Sequence, residues 1–233
     1  MKRNYLLLVL LSLFIVGITS CDDDDDHYSL GKYWIAMGEI DKSDGDAQLF
    51  EIELDNDDRL IPVAGHLHYI NRVEDNDRVL VNYTILDDAD TDNDPSTFYV
   101  RINDIDKVLA KGVITMTEAI QDSIGNDPIH VEDAWVSSHY LNFELKFSGG
   151  CETHYINLVN EPADNPEGSD VLKLQLRHND RGDQCEAWLS ALVSFDLNSI
   201  EHGDNESIDI EISGKEYNDE DYSYTFTYEF NGD

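Results

Sequence analysis

Positive charge is what this chain has least of. Only 15 Lys and Arg stand against 50 Asp and Glu in 233 residues, a formal net charge of −35. Nucleic-acid affinity rests on cations that displace counterions from phosphate, so this field excludes DNA and RNA and leaves cationic partners and divalent ions. Cysteine is also scarce, with 3 residues, and no catalytic, metal or nucleotide motif rises above chance. No apolar run after the first twenty residues approaches the roughly 20 residues of a membrane helix. Sustained helical periodicity is missing as well. High charge alone would suggest disorder, but 41% hydrophobic and 10% aromatic content in regular alternation argues for acidic side chains coating a folded core.

What is present at the start is a targeting segment. Lys2 and Arg3 precede an apolar stretch from Tyr5 to Val16 broken only by Ser12, and Gly17-Ile18-Thr19-Ser20 then narrows to small residues, the layout of a signal peptide over 1–20. Ile18-Thr19-Ser20-Cys21 resembles a lipobox, which implies cleavage before Cys21 and acylation of its thiol and new amino group. Each buried methylene contributes about 0.8 kcal/mol, and two chains already hold stably where one does not, so the expected anchor is permanent. Asp22, Asp23, Asp24, Asp25 and Asp26 follow unbroken, then His27. Such a block repels itself and reads as a solvated tether over 21–27. It also resembles the surface-export signal of lipoproteins in gut-type Gram-negative anaerobes, which implies display on the outer membrane facing the medium. In enteric bacteria an aspartate beside the cysteine implies inner-membrane retention instead.

From Tyr33 on, the chain is a succession of short alternating runs broken by Asp, Asn, Gly and Pro, which predicts an all-β fold. The first half offers strands at Tyr33 to Ile40, Ala47 to Leu54, Arg59 to Val63, Arg78 to Leu86 and Thr97 to Ile102, enough for a small barrel. Ile105 to Thr117 is apolar and fits either a last strand or a short helix. The Gly125-Asn126-Asp127-Pro128 turn follows, and a domain boundary is expected near residue 118. In the second half Leu141, Phe143, Leu145 and Phe147 share one face, while Asn142, Glu144 and Lys146 take the other. Leu172 to Leu176, Ile208 to Ile212 and Tyr222 to Phe230 repeat the alternation. One wet face per strand predicts antiparallel sheets. About seven strands, adding His130 to Val136, Thr153 to Val159 and Trp188 to Phe195, imply an Ig-like β-sandwich.

Tyr83-Thr84-Ile85-Leu86-Asp87-Asp88, Asp122 to Ile129, Thr153-His154-Tyr155-Ile156-Asn157-Leu158-Val159 and Leu176-Arg177-His178-Asn179 resemble the NigD-like lipoproteins. Trp188-Leu189-Ser190 and Val193 to Leu197 fit the same pattern, in order, from about Tyr28 to the C-terminus. The resemblance implies an OB-like barrel over 28–118 followed by the sandwich over 119–233. It also implies an association with bacteriocin immunity, and it supplies no catalytic residues. Cys151 and Cys185 are departures from the pattern.

Several residues are candidates for chemistry. Asp88, Asp90, Asp92 and Asp94 alternate as hard oxygen ligands do at the start of a calcium loop. An EF-hand counted from Asp88 then needs Gly and Glu where Asn93 and Tyr99 stand, so a solvated hairpin loop or weak Ca²⁺ binding is expected, with no other cofactor. His66 and His68 are expected on one strand face, as two metal ligands require. Cys151 and His154 face opposite ways in a strand, which argues against a cysteine protease. In an oxidising compartment, Cys151 and Cys185 are the two cysteines left to form a disulfide. Arg181-Gly182-Asp183 reads as an integrin-type tripeptide or a solvated turn. Trp34, Trp135 and Trp188 are candidates for a sugar platform, and Trp188 stands apart because Ala187, Leu189, Ala191 and Val193 claim the opposite face. The expected function is a non-enzymatic surface lipoprotein that binds an unidentified protein or glycan, with bacteriocin immunity first. The alternatives are a glycan-binding accessory protein of an uptake system and a hydrolase hidden among the carboxylates.

Overall fold

The computed structural model describes residues 29–42, 49–90, 96–166, 169, 171–200, 206–218 and 221–230. The signal segment, Cys21, Asp22 to Asp26, Asp92 and Asp94, with the side chain of Asp90, lie outside them.

Strands β1 (Trp34–Asp41), β2 (Glu51–Leu54), β3 (Arg59–Ala64), β4 (Arg78–Asp90) and β5 (Thr97–Lys107) close into a barrel in the order β1-β2-β3-β5-β4. Alternation in the sequence becomes inside and outside: Val79, Val81, Tyr83 and Ile85 of β4 are buried with Ile40, Ile52, Leu60 and Val100. β3 ends because Gly65 turns left-handed at φ 77, where a Cβ would lie 2.1 Å from the Ile102 carbonyl oxygen. Only glycine fits there. His66–His68 then form a 3-10 turn instead of the expected strand. With three residues per turn, positions two apart point different ways. His66 packs against Phe50 and His68 against Tyr69, so the pair offers no common metal face.

The second domain contains β6 (Leu109–Gly112), β7 (Ile114–Thr115), β8 (His130–Ser137), β9 (Tyr140–Gly149), β10 (Tyr155–Asn160), β11 (Val171–Asn179), β12 (Ala187–Asp196), β13 (Ser207–Lys215) and β14 (Asp221–Glu229). They form a four-stranded sheet, β6-β12-β9-β8, facing a five-stranded one, β14-β13-β11-β10-β7. Leu141, Phe143 and Leu145 are fully buried against Phe195, Leu174, Ile210 and Ile212. Each such side chain contributes about 1.5–3 kcal/mol. A one-residue slip would expose the whole set, so the pattern fixes the register.

Two details depart from expectation. The sheets are mixed: β11 pairs parallel with β13, β10 with β7 and β12 with β6. The chain steps from β11 into the facing sheet at β12 and returns at β13, which brings it back in the same direction. A sandwich covers one face of each sheet, so the wet face survives parallel pairing. The apolar Ile105 to Thr117 run is also divided, since β5 closes the barrel while β6 and β7 already pair with sandwich strands. The change of sheet therefore falls at Val108, ahead of residue 118. Residues 117–128 cap the sandwich: Ile124 is buried, Asn179 Nδ2 donates to the Ser123 carbonyl at 2.6 Å, and the Asp127 amide donates to the His178 carbonyl at 2.9 Å.

Candidate binding cleft between the domains

Arg78 opens β4 of the barrel, and its side chain is 1% exposed. The guanidinium holds Asp55, from the β2–β3 turn, in a two-pronged ion pair, with Nη2 donating to Oδ2 at 2.6 Å. It lies 4.3 Å over the Tyr140 ring of the sandwich and donates to Asn142 Oδ1 at 3.3 Å and Ser194 Oγ at 3.5 Å. The Ser137 hydroxyl donates to Asp55, and Tyr140 donates to Glu39 at 2.8 Å. Burial and the Glu39 acceptor push the Tyr140 phenol pKa up. This network joins one barrel end to the outer face of the β12-β9-β8 sheet.

Beside it opens a cleft of about 610 Å³ lined by Ile35, Ala36, Met37 and Leu80 of the barrel and Trp135, Ala191 and Leu192 of the sandwich. Its volume falls in the range of small-ligand pockets, roughly 300–1,000 Å³. Asp55, Ser137, Glu144 and Ser190 supply the polar lining. Asp55 is already engaged by Arg78 and Ser137, so it serves as an anchor. Glu144 is exposed at the cleft. Asp55 and Arg78 also border a smaller cavity of about 320 Å³, lined as well by Glu39, Asp41, Glu53, Asp75 and His139.

The residues singled out from the sequence are dispersed. Cys151 and Cys185 are joined in a disulfide with Cα atoms 5.8 Å apart. Asp183 lies beside that disulfide, and its side chain is buried. Its Oδ2 accepts the amides of Gly150, Cys151 and Glu152 at 2.8–3.0 Å, and Oδ1 accepts that of Cys185 at 2.8 Å. His154 Nε2 lies 3.1 Å from the same Oδ2, and His154 Nδ1 lies 2.9 Å from His178 Nε2. The Cys185 and Glu152 amides, above all, hold the Asp183 carboxyl well below the usual range, and burial pushes the His178 imidazole pKa down. With this carboxylate consumed inside the fold, the Arg-Gly-Asp tripeptide presents a structural turn. The sulfurs are bonded to each other, so the Cys151–Asp183–Cys185 convergence holds no metal through thiolate. Asp88 lies in β4, which runs to Asp90 opposite Thr97. Trp34 stacks on Tyr83 in the barrel, Trp135 lines the cleft and Trp188 is 65% exposed.

Sequence reasoning missed the seam itself. Asn142 and Ser194 alternate with core residues and read as wet-face positions, yet both are fully buried because the barrel docks on them. Arg78 carried one weak signal, a lone cation at the start of an apolar strand in a chain poor in cations.

A closed five-stranded barrel, a two-sheet sandwich and a buried arginine fastening them define a class of two-domain all-β proteins. The chain belongs to the NigD-like family: the NigD-like N-terminal OB domain matches residues 37–108 and the NigD-like C-terminal beta sandwich domain matches residues 112–228. It is similar to a solved Parabacteroides distasonis protein named only as toxin-related, at 27% identity and TM-score 0.71, covering 85% of this chain and 94% of that one. A Bacteroides vulgatus protein of unknown function matches at 24% identity and TM-score 0.72, covering 86% and 93%. A NigD-like immunity protein of Bacteroides caccae matches at 18% identity and TM-score 0.65, covering 88% and 100%. No curated protein matches this chain.

Proposed function

We propose that this chain is a non-enzymatic, lipid-anchored outer-membrane protein displayed at the cell surface, which binds a partner protein in the cleft between its domains. The cleft carries this reading: it is apolar, of ligand-pocket size, and built from two domains held in one orientation by Arg78. Glu144 at its lining and the net charge of −35 favour a cationic, amphipathic segment of the partner. An immunity role is what the name of the Bacteroides caccae relative supports, and the family resemblance makes bacteriocin immunity its form. The hydrolase alternative gains nothing here, since one of the two cleft carboxylates, Asp55, is bound to an arginine.

Ile35 is 60% exposed and lines the cleft from the barrel side, so Ile35→Arg blocks the cleft without opening the core. Pull-down of the acylated protein from its own cells is expected to recover a partner with wild type and to lose it with Ile35→Arg. Equal recovery by both would remove the cleft from the reading. The export half rests on Cys21 and Asp22 to Asp26. Replacing the five aspartates by serine keeps length and solubility but removes charge. Protease added to intact cells should then shave wild type and spare the variant at equal total amount.

A further inference from the structure

Trp188 and Tyr217 form an exposed aromatic corner that does not line the cleft. Trp188 is 65% exposed and Tyr217 40%, with ring centres 5.3 Å apart and planes at 66°. Exposed indole in a strand has a hydration cost that a solvent-facing polar residue avoids, and the Tyr217 ring it packs against is held in place. The Ser148 amide donates to the Tyr217 hydroxyl at 2.7 Å, and Ser148 lies opposite Trp188 in the β9–β12 register.

A polar chain continues from this corner across the same outer face. Tyr217 donates its amide to Glu216 Oε1 at 2.8 Å, and Glu216 Oε2 lies 2.7 Å from His130 Nδ1. His130 Nε2 is 3.4 Å from Glu132 Oε1, which accepts from Lys146 Nζ at 2.8 Å. Lys146 pairs with Ser190 on one side and His130 on the other. Strand geometry then sets Trp188 about 7 Å along β12 from the Ser190 row, with neighbouring strands about 4.8 Å apart. The result is a patch with an aromatic wall and fixed donors and acceptors beside it. An ammonium has three donors and a carboxylate about four lone-pair sites, so the ion pairs leave hydrogen-bonding capacity toward solvent.

Charge decides what fits. In a chain of net −35, both glutamates of this patch are already engaged, Glu132 by Lys146 and Glu216 by His130 and the Tyr217 amide. A cation finds these carboxylates occupied, and an anion meets the field of the whole chain. A ligand with a flat CH face, hydroxyls at its edge and no charge uses both the rings and the polar chain. We propose that Trp188, Tyr217 and the Lys146–Glu132–His130–Glu216 chain bind a sugar ring of a neutral glycan, at a site separate from the partner cleft.

Affinity electrophoresis of the full chain through gels containing dextran, mannan, arabinoxylan or galactan tests this, with heparin and polylysine as charged controls. At least one neutral polysaccharide is expected to retard the wild type, and Trp188→Ala should weaken that retardation roughly tenfold or more with an unchanged melting temperature. Tyr217→Ala should weaken it less. Ile35→Arg should leave it intact while abolishing partner capture, which separates this site from the cleft. No retardation by any neutral polymer, or equal retardation of wild type and Trp188→Ala, overturns the proposal. Trp188-dependent binding of polylysine alone also overturns it, making the corner a cation site.

Discussion

Asp55 and Asp183 lie near opposite ends of β9, and each is drawn out of water by different means. Asp55 depends on a guanidinium placed by a separate strand, and on a serine from the other domain. Asp183 is held by four backbone amides and an imidazole, all within a corner that the Cys151–Cys185 disulfide closes. The first arrangement fastens two domains and fails if one side chain goes. The second has redundant donors and fastens one end of a single sandwich. A chain with a large surplus of carboxylates thus uses one scarce cation at the seam and uncharged backbone elsewhere.

The comparison breaks first at Arg78. Removing one partner of a buried ion pair leaves a buried charge, at about 3–5 kcal/mol, so Arg78→Ala is expected to lower the urea midpoint and to split unfolding into two transitions as the domains part. A single transition with an unchanged midpoint would deny the seam its role. Replacing both Cys151 and Cys185 by serine should cost about 3–4 kcal/mol for a loop of this length, read as a shift in midpoint with one transition preserved. Tyr140→Phe removes only the bond to Glu39, and about 1 kcal/mol is expected.

A pH-dependent effect concerns Asp183. Its folded pKa is depressed, first by the Cys185 amide and then by the Glu152 amide. The unfolded group titrates near 3.9, so the stabilisation is fully present above that pH and is lost as pH falls toward the folded value. The gap in melting temperature between wild type and Asp183→Asn should therefore be constant from pH 7 to 5 and narrow below about pH 4. A gap that stays constant to pH 2.5 would show that the carboxylate is not what the amides stabilise.

The alternation of Leu141, Phe143, Leu145 and Phe147 made β9 legible from the sequence, as did the equivalent runs in β11, β13 and β14, because burial on one side leaves a period of two. The seam was not legible. Asn142 and Ser194 obey the same period and would be solvated in an isolated sandwich; only docking of the barrel buries them. Parallel pairing of β11 with β13 was hidden because alternation records which face is wet and carries no strand direction. Trp188 was legible as facing outward, since its neighbours claim the core. Its partner Tyr217 comes from the turn between β13 and β14, where no periodicity exists to place it. Asp183 read as part of a turn, and its burial depends on the Gly150 to Glu152 bend arriving from more than thirty residues away in sequence.

The histidine pair inside that corner is oriented by what lies at its two ends. The Pro128 carbonyl lies 2.9 Å from His178 Nδ1, the two imidazoles meet at 2.9 Å, and His154 ends 3.1 Å from the Asp183 carboxylate. Both outer groups only accept, so the two outer nitrogens each turn an N–H toward them. The two rings are thereby held in line between a carbonyl and a carboxylate, and burial lowers the affinity of His178 for a second proton. The tripeptide that resembled an external recognition motif thus ends inside the fold, as the last acceptor of a line that begins at the Pro128 carbonyl.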